Sequence, residues 1–374
     1  MARKKTIKFN STTLYICIAI AVILALLVAL AFSPVGQGIL AGLSDEGSGN
    51  GGSGSSSFKT VVSLGSNLTV NQEIVLDNVT CQIHFINVSQ GDGILVRFSD
   101  GTDVLIDGGS TTSGLETIRE NFVQYLFNAG ITSSIDYLIV THPDTDHYNV
   151  LTSVMDSFVV ENVIYNNVNK NQTYTKFIER IGEEVSGTHN KPIDADGQNY
   201  NISGSGYSID VYAPGYDTFN NGDTTYDAEE SNGMSPMIIL TAGDTKVLLT
   251  GDATVETEEW FMNTYGAQLD VDVLKVGHHG SDTSTGEAFL NYIDAEYAII
   301  SCDDGDAYEH PHATTMNRLF NSGVVTYRTN RHGTIVLSID ADGDFAFEVE
   351  NEVPTENNSK GINDKMVITK TLNP

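Results

Sequence analysis

The 374-residue sequence predicts an α+β domain of two packed sheets covered by helices, carried behind a single N-terminal membrane-spanning helix. Three observations predict it. Strand-like and helix-like runs alternate from Cys81 to Glu350 with no internal repeat and no second linker. Residues 14–32 are 19 uncharged residues dominated by Leu, Ile, Val and Ala. Three apolar runs of strand length each end in Asp or His side chains, which gathers the chemistry at strand tips.

Taken in order, the chain opens with Arg3, Lys4, Lys5 and Lys8, ahead of the apolar segment from Leu14 to Phe32, and has no further cation until Lys59. At about 1.5 Å per residue the segment comes close to the roughly 30 Å of a bilayer core. The positive-inside bias keeps the N-terminus in the cytoplasm and sends the remainder outside, so residues 1–33 read as a membrane anchor. A cleaved signal peptide with Ala29-Leu30-Ala31 as its processing site is the rival and would give a secreted protein; length and apolar density favour the anchor. Residues 34–57 form a linker whose Gly47–Ser57 stretch holds only Gly, Ser and Asn, with nothing to build a core. Residues 58–80 are a lead-in with partial alternation (Val61, Leu64, Leu68, Val70), 81–350 one domain, and 351–374 a polar tail.

Within the domain, strand patterns at 82–88, 93–99 and 102–107 precede a helix pattern at 115–129, ended by Gly130, and a strand at 135–140. Helix-like runs at 150–158, 173–184, 254–264, 284–293 and 313–321 then interleave with strand-like runs at 160–165, 208–213, 236–241, 245–250, 272–276, 296–301, 324–328, 333–338 and 344–348.

The formal net charge is −30, and once the four leading cations are set aside only 15 basic residues face 49 acidic ones. Such a surface repels polyanions at long range and counts against tight, non-specific nucleic-acid binding. It leaves a polyanionic substrate open, because bound cations reverse the local field. Of the three cysteines, Cys17 lies in the apolar segment, while Cys81 and Cys302 read as buried small hydrophobes rather than a disulfide.

The run Thr141-His142-Pro143-Asp144-Thr145-Asp146-His147 follows the strand at 135–140 and places four metal-binding side chains, His142, Asp144, Asp146 and His147, within six residues. A strand tip should aim all four into one small volume. A polar surface loop is the bland alternative, but this spacing has no turn-forming rationale. A second apolar strand ends in Gly251-Asp252, whose carboxylate could bridge two cations; alone it would read as a turn. A third ends in Gly277-His278-His279-Gly280, and a His pair between glycines after a core strand points to a metal or substrate site. Together the three tips predict a hydrolase with a dinuclear centre holding two divalent metal ions, Zn2+ or Mn2+.

In order and content these motifs resemble the metallo-β-lactamase fold, and within it the hydrolase domain at the C-terminus of ComEC-type DNA-uptake proteins. The resemblance runs from about 81 to 350 through His84–Gly93, Leu105–Gly109, Ala129–Thr141, Asn232–Ser235, Leu249–Asp252, Lys275–Ser281, Glu309–His312 and Tyr327–Gly333. It implies a four-layer αββα sandwich with the metals at one edge. It further implies that His142 and Asp144 hold one metal, Asp146 and His147 the second, that Asp252 bridges them, and that His279 or His278 completes the second shell.

Three departures stand out. Asp144 occupies a position where most relatives carry His, as in ComEC-like members. The only histidine between the metal loop and Asp252 is His189, in a polar Gly-Thr-His-Asn context that makes a poor ligand, so the first metal is expected to be short of protein ligands. Tyr148-Asn149 replaces a usual Gly-Gly and Glu309 replaces a usual Gly; both are expected to reshape the pocket.

The expected chemistry is attack by a metal-activated hydroxide, oriented by Asp146. His278 or His279, with His310 or His312, would neutralise charge on the displaced oxygen, although the proline between the last two could equally shape a turn. The leading expectation is an extracytoplasmic, membrane-anchored phosphodiesterase acting on a phosphodiester, with DNA as candidate substrate; the residues identify no protein partner. Hydrolysis of small phosphodiesters or phosphocholine groups on surface polymers is the rival enzyme, and a surface binding module with a vestigial metal site the rival outside catalysis.

Overall fold

The computed structural model of the protein describes residues 58–62, 74–351, 353 and 369–371, apart from 112, 169, 186–188, 220–225 and 306. The anchor expected at 1–33 and the linker at 34–57 lie outside the described residues. Among the described residues no helix is long and apolar enough to cross a membrane.

The strands are β1 (Phe58–Val62), β2 (Ile74–Phe85), β3 (Ile94–Phe98), β4 (Asp103–Ile106), β5 (Ser134–Ile139), β6 (Val159–Asn166), β7 (Asn190–Ile193), β8 (Gln198–Gly204) and β9 (Tyr207–Ala213). They continue as β10 (Met237–Ala242), β11 (Thr245–Leu249), β12 (Val273–Lys275), β13 (Tyr297–Ile300), β14 (Val325–Arg328), β15 (Ile335–Asp340), β16 (Phe345–Val349) and β17 (Thr369–Thr371). One sheet has ten strands in the order β17-β16-β15-β2-β3-β4-β5-β6-β7, with β1 paired to β2. The other has seven, β14-β13-β12-β11-β10-β9-β8. Parallel pairing runs from β4 to β7 in the first and from β11 to β14 in the second; the rest of each sheet is antiparallel apart from the parallel β16–β17 edge of the first.

Why these residues form two covered sheets follows from the alternation of side chains along each strand. Val247 and Leu249 of β11 enter the core between the sheets, whereas Leu248 points the other way, under the helices. Tyr297 and Ile299 of β13 do the same against Ala298 and Ile300. In the first sheet Ile94, Val96 and Phe98 of β3 face the inter-sheet core and Leu95 the opposite layer. Strands buried on both faces must be apolar throughout, which is the pattern of their sequences. Three hydrophobic clusters between four layers result: helix, sheet, sheet, helix.

The helices covering the first sheet are α1 (Leu115–Asn128), α2 (Thr145–Tyr148), α3 (Leu151–Ser157) and α4 (Gln172–Glu184). After the short α5 (Ala228–Gly233), those over the second are α6 (Val255–Tyr265), α7 (Glu287–Ile293) and α8 (Ala313–Asn321), before α9 (Thr329–His332). Each buried Leu, Ile or Phe in these layers contributes about 1.5–3 kcal/mol.

Some sequence expectations are corrected. Strand β2 begins at Ile74, ahead of the boundary drawn at Cys81, and pairs with β1, so part of the 58–80 lead-in belongs to the sheet. In the 351–374 tail, Thr369–Thr371 pairs with β16. Strands β7 and β8 were not expected; Gln198–Gly204 is largely exposed and carries little apolar signal. Cys81 and Cys302 are free, buried thiols in different clusters. Tyr148 does not face the pocket: it is buried against Tyr174 and Phe177, where its volume fills the outer layer. Asn149 is tied to the Ser110 backbone through both ends of its amide.

Candidate metal centre

The parallel strands β4, β5, β11, β12 and β13 deliver their C-terminal tips to one place. The tip after β5 splits its side chains. Helix α2 starts at Thr145, with Asp144 in extended backbone just ahead of it; Asp146 and His147 join the group around Asp252, while Asp144 lies on the wall of the same cavity. Asp144 Oδ1 accepts from the Lys170 ammonium and from Ser231 Oγ at 2.6 Å. Asp144 thus shares the cavity with Asp146 but is engaged by Lys170 and Ser231 instead of standing against Asp252.

Asp252 is the hub. Its carboxylate lies 3.3 Å from His147 Nε2, 3.4 Å from His279 Nε2, and 3.8 Å from the Nε2 atoms of His142 and His278. Asp146 Oδ2 is 3.4 Å from His279 Nε2. Ligand atoms from Asp146, His147, Asp252 and His279 all lie within 4.8 Å of one another.

Each imidazole is aimed by its other nitrogen. His147 Nδ1 lies 2.7 Å from Asp107 Oδ2, a carboxylate that also accepts from the backbone N–H and hydroxyl of Thr141. His279 Nδ1 donates to the Ser301 carbonyl at 2.9 Å, and His142 Nδ1 sits 3.1 Å from Thr141 Oγ1. His278 and His279 both hold left-handed backbone, φ 48° and 52°, in a helical turn over Gly277–Gly280. Two successive side-chain-bearing residues there store about 1–3 kcal/mol each, strain that the converging contacts maintain. The pair thereby splits: His279 is buried in the four-group cluster, and His278, partly exposed, borders the cavity and hydrogen-bonds Thr283.

The loop backbones are nested. A Cβ on Gly109 would lie 2.2–2.5 Å from the Asp146–His147 peptide, and one on Gly91 2.6 Å from the Asp146 carbonyl. Behind them Lys275 and Asp92 form an ion pair of 2.9 Å, both fully buried, and the Asp92 N–H donates to the Asp146 carbonyl.

Burial alone would raise the Asp252 and Asp146 carboxyls, but the adjoining imidazoles hold both below the usual carboxylate range. Burial alone would lower His147 and His279. The carboxylates of Asp252 and Asp107 instead push His147 well up, and Asp252 with Asp146 push His279 up to about 10. His142, buried and beside His147, is lowered to about 4. The cluster thus draws positive charge inward. Nε2 of His142, His147 and His279, and Oδ1 of Asp252, are buried without a hydrogen-bond partner. Buried polar atoms without partners that converge on one carboxylate fit divalent cations, which such nitrogens and oxygens would coordinate.

The remaining sequence candidates take other places. His310 borders the cavity, its ring 5.3 Å from that of His278. His312 also lines the cavity, and both its ring nitrogens are engaged: it accepts from the Asp282 N–H of the loop after His279 and donates to the Tyr308 carbonyl, tying the two loops together. Glu309 has left-handed backbone, φ 60°, a conformation that favours glycine; it sets the chain path between Tyr308 and His310 and is not among the residues lining the pocket. His189 is exposed and bonded to Asn162, away from the cavity lining. The cavity over the cluster, of about 610 Å³, is walled by Lys170 and Asn171, Asn232, His278, His310 and Tyr308. The sequence assigned no role to Asp107, Lys170, Ser231 or the Asp92–Lys275 pair; Asp107, Asp92 and Lys275 lie within the motif segments, whereas Lys170 and Ser231 carry no local signal.

The sequence profile of the metallo-beta-lactamase superfamily matches residues 86–303. The chain belongs to that superfamily. This superfamily member is 30% identical over 245 residues to Recombination protein 2 of Haemophilus influenzae, covering 65% of the chain and 27% of that protein. It is 29% identical over 268 residues to ComE operon protein 3 of Bacillus subtilis, covering 68% and 32%. These are ComEC-type competence proteins, as the motif order implies, and the chain spans less than a third of their length. Among solved structures a diphosphatase of the PhnP family is similar with a TM-score of 0.39 at 13% identity, covering 69% of this chain and 98% of that one.

Proposed function

We propose that this superfamily member is a metal-dependent phosphodiesterase, acting outside the cytoplasmic membrane behind an N-terminal anchor, with DNA as its substrate. The observation that carries the reading is the convergence of three buried imidazole nitrogens and Asp146 on Asp252, at the floor of an open cavity. Asp146, His147, Asp252 and His279 would hold a divalent cation, with His142 beside them, its Nε2 3.8 Å from Asp252 and its ring 4.0 Å from that of His147. Cations there supply the lowered pKa of a coordinated water and Lewis-acid polarisation of a phosphoryl oxygen.

The chain's own groups do the rest. Asp107 fixes the His147 ring so that Nε2 faces Asp252. His278 and His310 line the cavity with their rings 5.3 Å apart, where imidazole N–H groups can donate to phosphate oxygens. Tyr308, 72% exposed and stacked against His310 at an interplanar angle of 19°, offers a flat aromatic face at the mouth. A nucleobase stacks on such a face without sequence preference, which favours nucleic acid over a base-free phosphodiester. The likeness to proteins named for recombination and competence supports the same choice. The net charge of −30 favours the rival, a small phosphodiester or phosphocholine ester on surface polymers.

Assay of the full chain with Mn2+ or Zn2+ on bis-p-nitrophenyl phosphate, single-stranded DNA and phosphocholine esters separates the readings. Diester turnover lost in Asp146→Ala, together with DNA cleavage, is expected. Phosphocholine release without DNA cleavage selects the rival, and inactivity at full metal occupancy returns the chain to a binding role.

A further inference from the structure

The metal cluster is lopsided. Asp146, His147 and His279 close a four-group nest with Asp252. His142 and His278 stand farther off, each 3.8 Å from Asp252 Oδ2, and the only further carboxylate of the metal loop, Asp144, is already engaged through Oδ1. Its Oδ1 takes the Lys170 ammonium and the Ser231 hydroxyl, while Lys170 also donates to Ser231 at 2.7 Å. Asp144 and Lys170 are only 23% and 15% exposed at their side chains, so water screens this pair weakly.

We propose that the centre holds one cation firmly and that Lys170 occupies the charge position of a second. Three physical points support it. A divalent ion ligated by Asp144 would sit beside an ammonium already bound to the same carboxylate, a like-charge contact in a poorly solvated place. Without Asp144, the second position offers two neutral imidazoles and a share of Asp252, a weak set for a doubly charged ion. The ammonium is anchored at two points, by Asp144 and Ser231, and so is held where it stands. Lys170 also lines the cavity, where its positive charge faces an incoming phosphate in place of that second ion.

The inference rests on the hydrolase reading only in taking the cluster as a metal site, and its test reads stoichiometry instead of turnover. The full chain is stripped with chelator, loaded with excess Mn2+ or Zn2+, desalted, and its metal counted by mass spectrometry, with calorimetric titration alongside. The wild type is expected to keep one equivalent, any second binding at least about tenfold more weakly. Lys170→Met, which keeps the apolar stem and removes the charge, should keep two, and Asp144→Asn should still keep one. Two equal equivalents in the wild type, one in Lys170→Met, or none in Asp144→Asn each overturn the proposal while leaving the hydrolase reading intact. No bound metal in the wild type overturns both. Circular dichroism confirms folding of each variant; should Lys170→Met not fold, the wild-type count and Asp144→Asn still decide.

Discussion

Asp107 and His147 lie 2.7 Å apart, carboxylate Oδ2 to imidazole Nδ1, with both groups fully buried. The contact turns the other imidazole nitrogen toward Asp252. Asp107→Asn keeps the shape but replaces the acceptor with an amide that can present its N–H to Nδ1, loosening the ring. Metal affinity should fall about 10–100-fold with the fold intact. Competition with a fluorescent chelator measures the affinity, and unchanged binding would show that His147 needs no such support.

The Lys275–Asp92 pair bears on stability. Both charges are out of water, so Lys275→Met leaves Asp92 buried with its main compensating partner gone, a loss of about 3–5 kcal/mol. Lys275→Met combined with Asp92→Asn should recover part of that loss, because no unpaired charge remains. Urea unfolding of the three variants gives the comparison; additive losses would mean the two residues act independently.

His84 predicts how stability depends on pH. Burial, with Arg97 nearby, lowers its pKa from about 6.5 to about 3. The unfolded chain therefore takes up a proton that the folded chain refuses, and stability from this group is complete above pH 6.5 and lost as pH falls toward 3. Between pH 6.5 and 5 the loss is about 1.5 kcal/mol. His84→Gln, which can still bond the Tyr125 hydroxyl, should flatten the thermal-unfolding profile in that window. An unchanged slope would place the titration elsewhere.

Tyr308 predicts selectivity. Base stacking on one exposed ring is worth about 1–3 kcal/mol. Tyr308→Ala should raise KM for an oligonucleotide roughly 10-fold or more, leave kcat nearly unchanged, and spare bis-p-nitrophenyl phosphate; Tyr308→Phe should restore the wild-type value. Equal effects on both substrates would reduce the residue to a structural part of its loop.

Much of this was legible because it is local. The loop after β5, Gly251-Asp252 and the His278-His279 pair each follow an apolar strand, so strand pattern and ligand chemistry read together in one stretch of sequence. What stayed hidden depends on long-range contact. Lys170 meets Asp144 from 26 residues away and Ser231 from 61, and neither residue carries a local signal. Asp144 looked equivalent to its neighbours because spacing does not reveal where α2 begins. Strand β8 escaped notice because an edge strand exposed along most of its length needs few apolar residues. His278 and His279 could not be told apart until their left-handed backbone set one against Asp252 and Asp146 and the other at the cavity wall.

The glycine contacts under Asp146 reach beyond packing. With Gly91 and Gly109 pressed against the peptide that joins Asp146 to His147, a side chain at either position would have to displace the backbone that carries two candidate ligands. The centre is therefore open to disturbance from behind: even one added methyl, as in Gly109→Ala, would reach it without touching a ligand.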